Sequence, residues 1–149
     1  MNYLFDTNIL LTFVRDRKFR WELKTKFDMS NLENRNLISI VSVGELKSLS
    51  LRNNWGERRN QELDDALKDF ITVDIRYMPI VMKYAEIDAF SQGKLKDKPL
   101  KMSSRNMGKN DLWIAATASL ANARLITFDQ DFEHLNKTYL ELILMTNQS

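Results

Sequence analysis

Residues 2–16 read Asn-Tyr-Leu-Phe-Asp-Thr-Asn-Ile-Leu-Leu-Thr-Phe-Val-Arg-Asp, and the change of rhythm at Asp6 decides the fold. Up to Asp6 the run is short and mostly apolar, of strand length. Beyond it Leu10, Leu11 and Val14 recur at helical spacing, which predicts a strand passing directly into a helix that reaches about Asp16. The same succession repeats along the chain. A second helix is expected over Lys18–Met29, closed by the polar run Ser30–Asn36. Leu37–Val41 is rich in β-branched residues and predicts a buried strand, and Ser42-x-x-Glu45 has the form of a capping box opening the next helix. Asn53 and Asn54 interrupt that helix, and Glu57–Phe70 resumes with Leu63, Leu67 and Phe70 on one face. Ile71–Asp74 reads as a third strand, and Pro79 suits the first turn of a helix ending near Gln92. A further helix, capped by Asn110 or Asp111, runs through Leu120. Leu125–Thr127 and Tyr139–Leu144 complete the series as strands.

Strands alternating with helices imply one α/β domain over residues 1–149, with a parallel sheet covered on both faces. The bulk composition agrees: 149 residues, 44% hydrophobic and 28% charged, with four glycines and two prolines, describe a folded, helix-rich chain. No cysteine is present, which excludes disulfides, cysteine zinc sites and thiol catalysis. The N-terminus lacks a basic n-region and a long apolar run, and no stretch is long enough to span a membrane, so a cytoplasmic location is expected.

Net charge is only +2, but its distribution is uneven. Lys94, Lys96, Lys98, Lys101, Arg105 and Lys109 face Asp97 alone within residues 93–109, a local excess of +5 that leaves −3 for the rest of the chain. A basic segment on a mildly acidic body can hold a polyanion near an acidic site; taken alone it reads first as a solvated loop whose lysines keep it soluble.

In parallel sheets, ligands collect at the carboxyl ends of the strands, near the point where strand order reverses. Asp6 ends the first strand, Glu45 lies just after the second, Asp111 opens the helix before the fourth, and Asp129 follows it. Each has an ordinary explanation: Asp6 and Asp111 as helix-terminal charges, Glu45 as the partner of Ser42, Asp129 with Asp131 as a turn. Gathered on one rim they have none, because carboxylates about 5 Å apart repel by roughly 3 kcal/mol per pair at an effective dielectric near 20. A fold collects such charges when a cation compensates them or protons stay bound. Hard oxygen donors without His or Cys select Mg²⁺ or Mn²⁺. An acid cluster beside a basic segment suggests phosphodiester chemistry.

Four stretches stand in order over nearly the whole chain: Tyr-Leu-Phe-Asp-Thr-Asn-Ile-Leu at 3–10, Ser-Val-Gly-Glu-Leu at 42–46, Asn-Asp-Leu-Trp-Ile-Ala-Ala-Thr-Ala at 110–118, and Leu-Ile-Thr-Phe-Asp-Gln-Asp-Phe at 125–132. Together they resemble the PIN-domain family, most closely the VapC-type toxins of bacterial toxin–antitoxin systems. The resemblance implies a three-layer α/β/α sandwich around a mainly parallel sheet of about five strands. It makes Asp6, Glu45 and Asp111 the core acids and metal ligands, with Asp129 fourth and Asp131 able to share or take that role. Thr7, Asn8 and Thr127 fall at small polar positions that orient a ligand, helix capping being the competing reading for Asn8. The implied activity is Mg²⁺- or Mn²⁺-dependent hydrolysis of single-stranded or loop RNA, by a homodimer held in check by a cognate antitoxin. The six cations of 93–109 become candidate RNA contacts. That segment departs from the family, whose relatives make the connection shorter.

Competing readings are a PIN nuclease of RNA processing or of DNA, and a catalytically silent protein-binding PIN module. A dehalogenase-type phosphatase is rejected, because that chemistry needs a second Asp two residues after Asp6 and Asn8 stands there. His134, the single histidine, is expected at the surface or in a loop rather than as a ligand. Trp113 is expected in the core, and Trp55, near Arg52, Arg58 and Arg59, is the candidate for an exposed aromatic contact.

Overall fold

Three adjacent pairs of apolar residues, Leu4-Phe5, Leu37-Ile38 and Leu125-Ile126, explain the layering. Successive side chains of a strand point to opposite faces, and in each pair the first residue belongs to one core and the second to another. A computed structural model, which describes residues 1–146, shows the resulting sandwich. Its strands are β1 (Asn2–Phe5), β2 (Arg35–Ser39), β3 (Ile71–Val73), β4 (Arg124–Thr127) and β5 (Glu141–Leu144). All four pairings are parallel and the order is β3-β2-β1-β4-β5.

The helices are α1 (Thr7–Arg15), α2 (Arg17–Lys26), α3 (Ile40–Arg52), α4 (Glu57–Leu67), α5 (Met78–Ser91) and α6 (Lys109–Leu120), with a 3₁₀ helix at Gln130–Leu135. Phe5, Phe13, Leu23, Leu46, Leu63 and Ile126 fill the core under α1–α4. On the other face α5 and α6 pack Ile87, Phe90, Ile114 and Ala115 onto Leu4, Leu37 and Leu125. Burying these side chains stabilises by about 1.5–3 kcal/mol for each large one.

The chain begins in the central strand, builds outward through β2 and β3, then returns to add β4 and β5 on the other side. Strand order therefore reverses between β1 and β4, which opens a crevice at their carboxyl ends.

Some boundaries differ from the sequence expectation. β2 begins at Arg35, two residues early, so α3 opens at Ile40 with Ser39 as its cap, the Ser39 hydroxyl accepting from Val41 N–H at 3.1 Å. Ser42 is therefore not a capping residue; it lies buried inside α3. Neither Asn110 nor Asp111 caps α6, which starts from Gly108 without a side-chain cap and carries Asp111 in its first turn. Trp55 is 8% exposed and anchors the α1–α4 core, so it is not the exposed contact its neighbouring arginines suggest. His134 is 3% exposed rather than superficial; it pairs with buried Ser91 at 2.7 Å and stacks on Phe90. Trp113 is half-buried against Tyr84, their rings 4.3 Å apart.

Candidate active site

Asp6 sits where β1 becomes α1, and both roles use the same carboxyl. Oδ1 accepts the Thr7 N–H at 2.8 Å as the helix cap, while Oδ2 accepts the buried Thr127 hydroxyl at 2.7 Å. Thr127 ends β4, and its oxygen accepts in turn from Asp129 N–H at 2.9 Å. One hydroxyl thus ties the carboxyl ends of the two central strands together across the crevice. Asp129 caps the 3₁₀ helix, accepting from Asp131 N–H at 2.8 Å.

Glu45 comes from the second turn of α3. The Thr7 hydroxyl is 3.1 Å from Glu45 Oε1 and 2.8 Å from the Ser42 hydroxyl. A hydroxyl has one proton, so the arrangement that satisfies all three groups runs from Ser42 to Thr7 to Glu45, each donating to the next. Asn8, one position on, points into solvent at the mouth of a cleft between α1 and α3.

The electrostatics show that the acids share one space. Burial is the largest influence raising Asp6, opposed by the bonds from Thr127 and Thr7 and reinforced by the charge of Asp129. Burial also raises Glu45, against the Thr7 hydroxyl, with Asp6 repelling it and Asn110 favouring its charged form. Asp111 is lifted furthest, to about 7, by burial and then by Asp6, Asp129, Glu45 and Asp131 in that order. Half-buried and within reach of four other acids, Asp111 is the place where the accumulated negative charge is felt most.

Among the described residues no three acidic or histidine side chains converge tightly enough to cage an ion by themselves. Mg²⁺ does not require such a cage, since it commonly uses one or two carboxylates and keeps its waters for substrate oxygens. The donors fit such a cation in kind: all are oxygens, and their mutual repulsion is what a cation relieves.

The basic segment is partly anchored. Arg105 N–H donates to the Ser91 carbonyl at 2.8 Å, and its guanidinium lies 3.4 Å from the Asp131 carbonyl. Leu95, Leu100 and Met107 pack on the core. Residues 103–108 thereby wall a cavity of about 310 Å³ together with Asp111 and Asp131. Lys109 begins α6, two residues before Asp111. Lys98 instead lies over the Tyr139 ring, 4.2 Å from its centroid. Tyr139 lines a hollow with Met1 and Arg124, at the opposite ends of the strands from the acids. Lys94, Lys96 and Lys101 are exposed. Ser42 and Asn110 read from the sequence only as caps, yet Ser42 meets the Thr7 hydroxyl and Asn110 bonds Glu45. Only the packing of α1 and of α6 on α3 brings these side chains there.

The family model of the PIN domain matches residues 3–138. No curated protein matches the sequence. Among solved structures the chain resembles one from VapBC2 of Rickettsia felis bound to a promoter DNA fragment, with 23% identity, a TM-score of 0.75, and coverage of 97% of this chain and 99% of that one. A chain of VapBC-1 from nontypeable Haemophilus influenzae gives 24%, 0.73, and 97% and 98%. A chain of VapBC-5 from Mycobacterium tuberculosis, a member of the VapBC family of toxin–antitoxin systems, gives 19%, 0.60, and 97% and 98%.

Proposed function

The chain belongs to the PIN-domain family, and from that premise we propose that it is a metal-dependent endoribonuclease, the toxin of a type II toxin–antitoxin pair. The observation that carries the reading is the set of acids at the reversal of strand order, charged densely enough to hold Asp111 at about 7. Asp6, Glu45, Asp111 and Asp129 hold Mg²⁺ or Mn²⁺, with Asp131 in reserve. When bound, the cation offsets phosphate charge and lowers the pKa of an attacking water.

The chain's own residues do the rest. Thr127 and the Thr7 N–H occupy one lone pair on each Asp6 oxygen and leave the others free, so the carboxylate is aimed before anything binds. Thr7 does the same for Glu45. Asn110 and Arg105 border the acids with donors suited to phosphate oxygens. A partner protein and a second copy of the chain belong to the same reading. The partner protein is supported by the toxin–antitoxin complexes from which the similar structures come, and among the described residues no helix is long and apolar enough to cross a membrane.

The test is cleavage of RNA with Mg²⁺ or Mn²⁺, with chelator, and with Asp6→Asn. Asn keeps the shape of Asp6 and removes its charge, so the protein stays folded while cleavage is lost. Undiminished cleavage by folded Asp6→Asn protein refutes the site. Cleavage of DNA in preference to RNA moves the substrate.

A further inference from the structure

A cleft of about 720 Å³ runs between α1 and α3 and meets the acid cluster at Glu45. Thr7, Glu45 and Asn110 stand at one end, Leu11 and Leu49 form its sides, and Arg52 stands at the other. From Glu45 to Arg52 is seven residues of α3, about 10 Å along the helix axis.

Beyond Arg52 the positive charge continues. Trp55 follows α3, and its buried ring carries two guanidiniums: Arg15, the last residue of α1, with Cζ 5.8 Å from the ring centroid, and Arg59 of α4 at 5.3 Å. The three arginines are exposed, and among the described residues none has an acidic partner at ion-pair distance. Arg58, one position from Arg59, does pair, with Glu62 at 3.5 Å. The tryptophan thus holds two like charges near each other without compensation, an arrangement relieved by a polyanion.

We infer that this cleft carries the RNA strand on one side of the scissile phosphate, with Arg52, Arg15 and Arg59 each taking a backbone phosphate. The strand is single: helices packed together have axes about 8–10 Å apart, and no duplex enters between them. The sugar-base side lies against Leu11 and Leu49 while the phosphates reach the guanidiniums. A peptide of a partner protein is the competing occupant. The unpaired cations and the continuity of the cleft with Glu45 favour RNA. The inference rests on the nuclease reading.

The experiment uses the full chain carrying Asp6→Asn, which binds without cutting, and a labelled single-stranded RNA of mixed sequence titrated at several salt concentrations with Mg²⁺ present. Adding Arg15→Ser, Arg52→Ser and Arg59→Ser together weakens binding on the order of tenfold at moderate salt and flattens the log–log salt slope by about 2, since each single-strand phosphate contact contributes about 0.7. The loss is uniform across sequences, as phosphate contacts read none. Replacing the same three by Lys restores the slope, which separates charge from folding. Parent-like affinity and slope in the Ser variant overturn the inference and hand the cleft to a partner protein, as does equal weakening for duplex RNA. RNA binding absent from the Asp6→Asn parent itself, with no cleavage by the wild type, defeats the nuclease reading and the cleft with it.

Discussion

Replacing Asp111 by Asn should stabilise the metal-free protein, and only at neutral to alkaline pH. In the folded chain this carboxyl titrates at about 7, against 3.8 for an ordinary aspartate. Between those values the unfolded chain has released the proton that the folded chain retains, so stability falls as pH rises from about 4 to about 7 and then levels. A shift of that size costs the folded state about 4 kcal/mol at a site sealed from water, and about 1–2 kcal/mol at a half-buried one, where solvent screens the repulsion. The substituted amide carries no proton to lose and also relieves Asp6, Asp129 and Glu45. The variant should therefore gain about 1–2 kcal/mol over wild type at pH 8, or about 3–6 °C in Tm for a domain of this size. At pH 4 the gain should vanish. Urea unfolding at both pH values after chelation measures the difference, and saturating Mg²⁺ should reverse the order, since the ion stabilises the form that binds it better. A variant less stable than wild type at pH 8 without metal, or two parallel pH profiles, would show that the acids do not crowd one space.

Further expectations follow from individual contacts. Thr127→Val removes the hydroxyl that serves both Asp6 and the Asp129 N–H, leaving both short of a partner; it should cost about 1–3 kcal/mol in urea unfolding and lower cleavage. Thr127→Ser should keep most of both, and equal loss in the two variants would deny the hydroxyl its role. Asp129→Asn should weaken metal binding in titration calorimetry more than Asp131→Asn, and the reverse order would move the fourth ligand to Asp131. Arg105→Ser should weaken RNA binding and reduce its salt slope by about 0.7, whereas Lys98→Ser, held over Tyr139 away from the acids, should leave both unchanged; matching effects would mean that residues 93–109 act as a diffuse cloud of charge.

Much could be read from the chain because its signals are local. Short apolar runs such as Tyr3-Leu4-Phe5, helical spacing in α1, and acids that follow strands or stand near helix starts are properties of neighbouring residues. From them follow the sandwich, the parallel sheet and the four candidate acids. The neighbours along the chain also misled where two local readings competed. Ser39 and Ser42 both suit a helix start, and only the pairing of β2 with β3, which runs on to Ser39, decides that Ser39 caps and Ser42 turns inward to Thr7. Distant encounters left no local trace. Nothing near Trp55 announces that Arg15, forty residues earlier, will lie on its ring, and nothing near His134 announces Ser91. The raised titration of Asp111 likewise belongs to no single stretch, being the sum of burial and four charges from three other segments. Which residues carry charge, and which faces seek the core, was settled by the order of amino acids alone. Which charges meet was left to the packing, because electrostatic and hydrogen-bond energies depend on distances that only the assembled sheet and helices set.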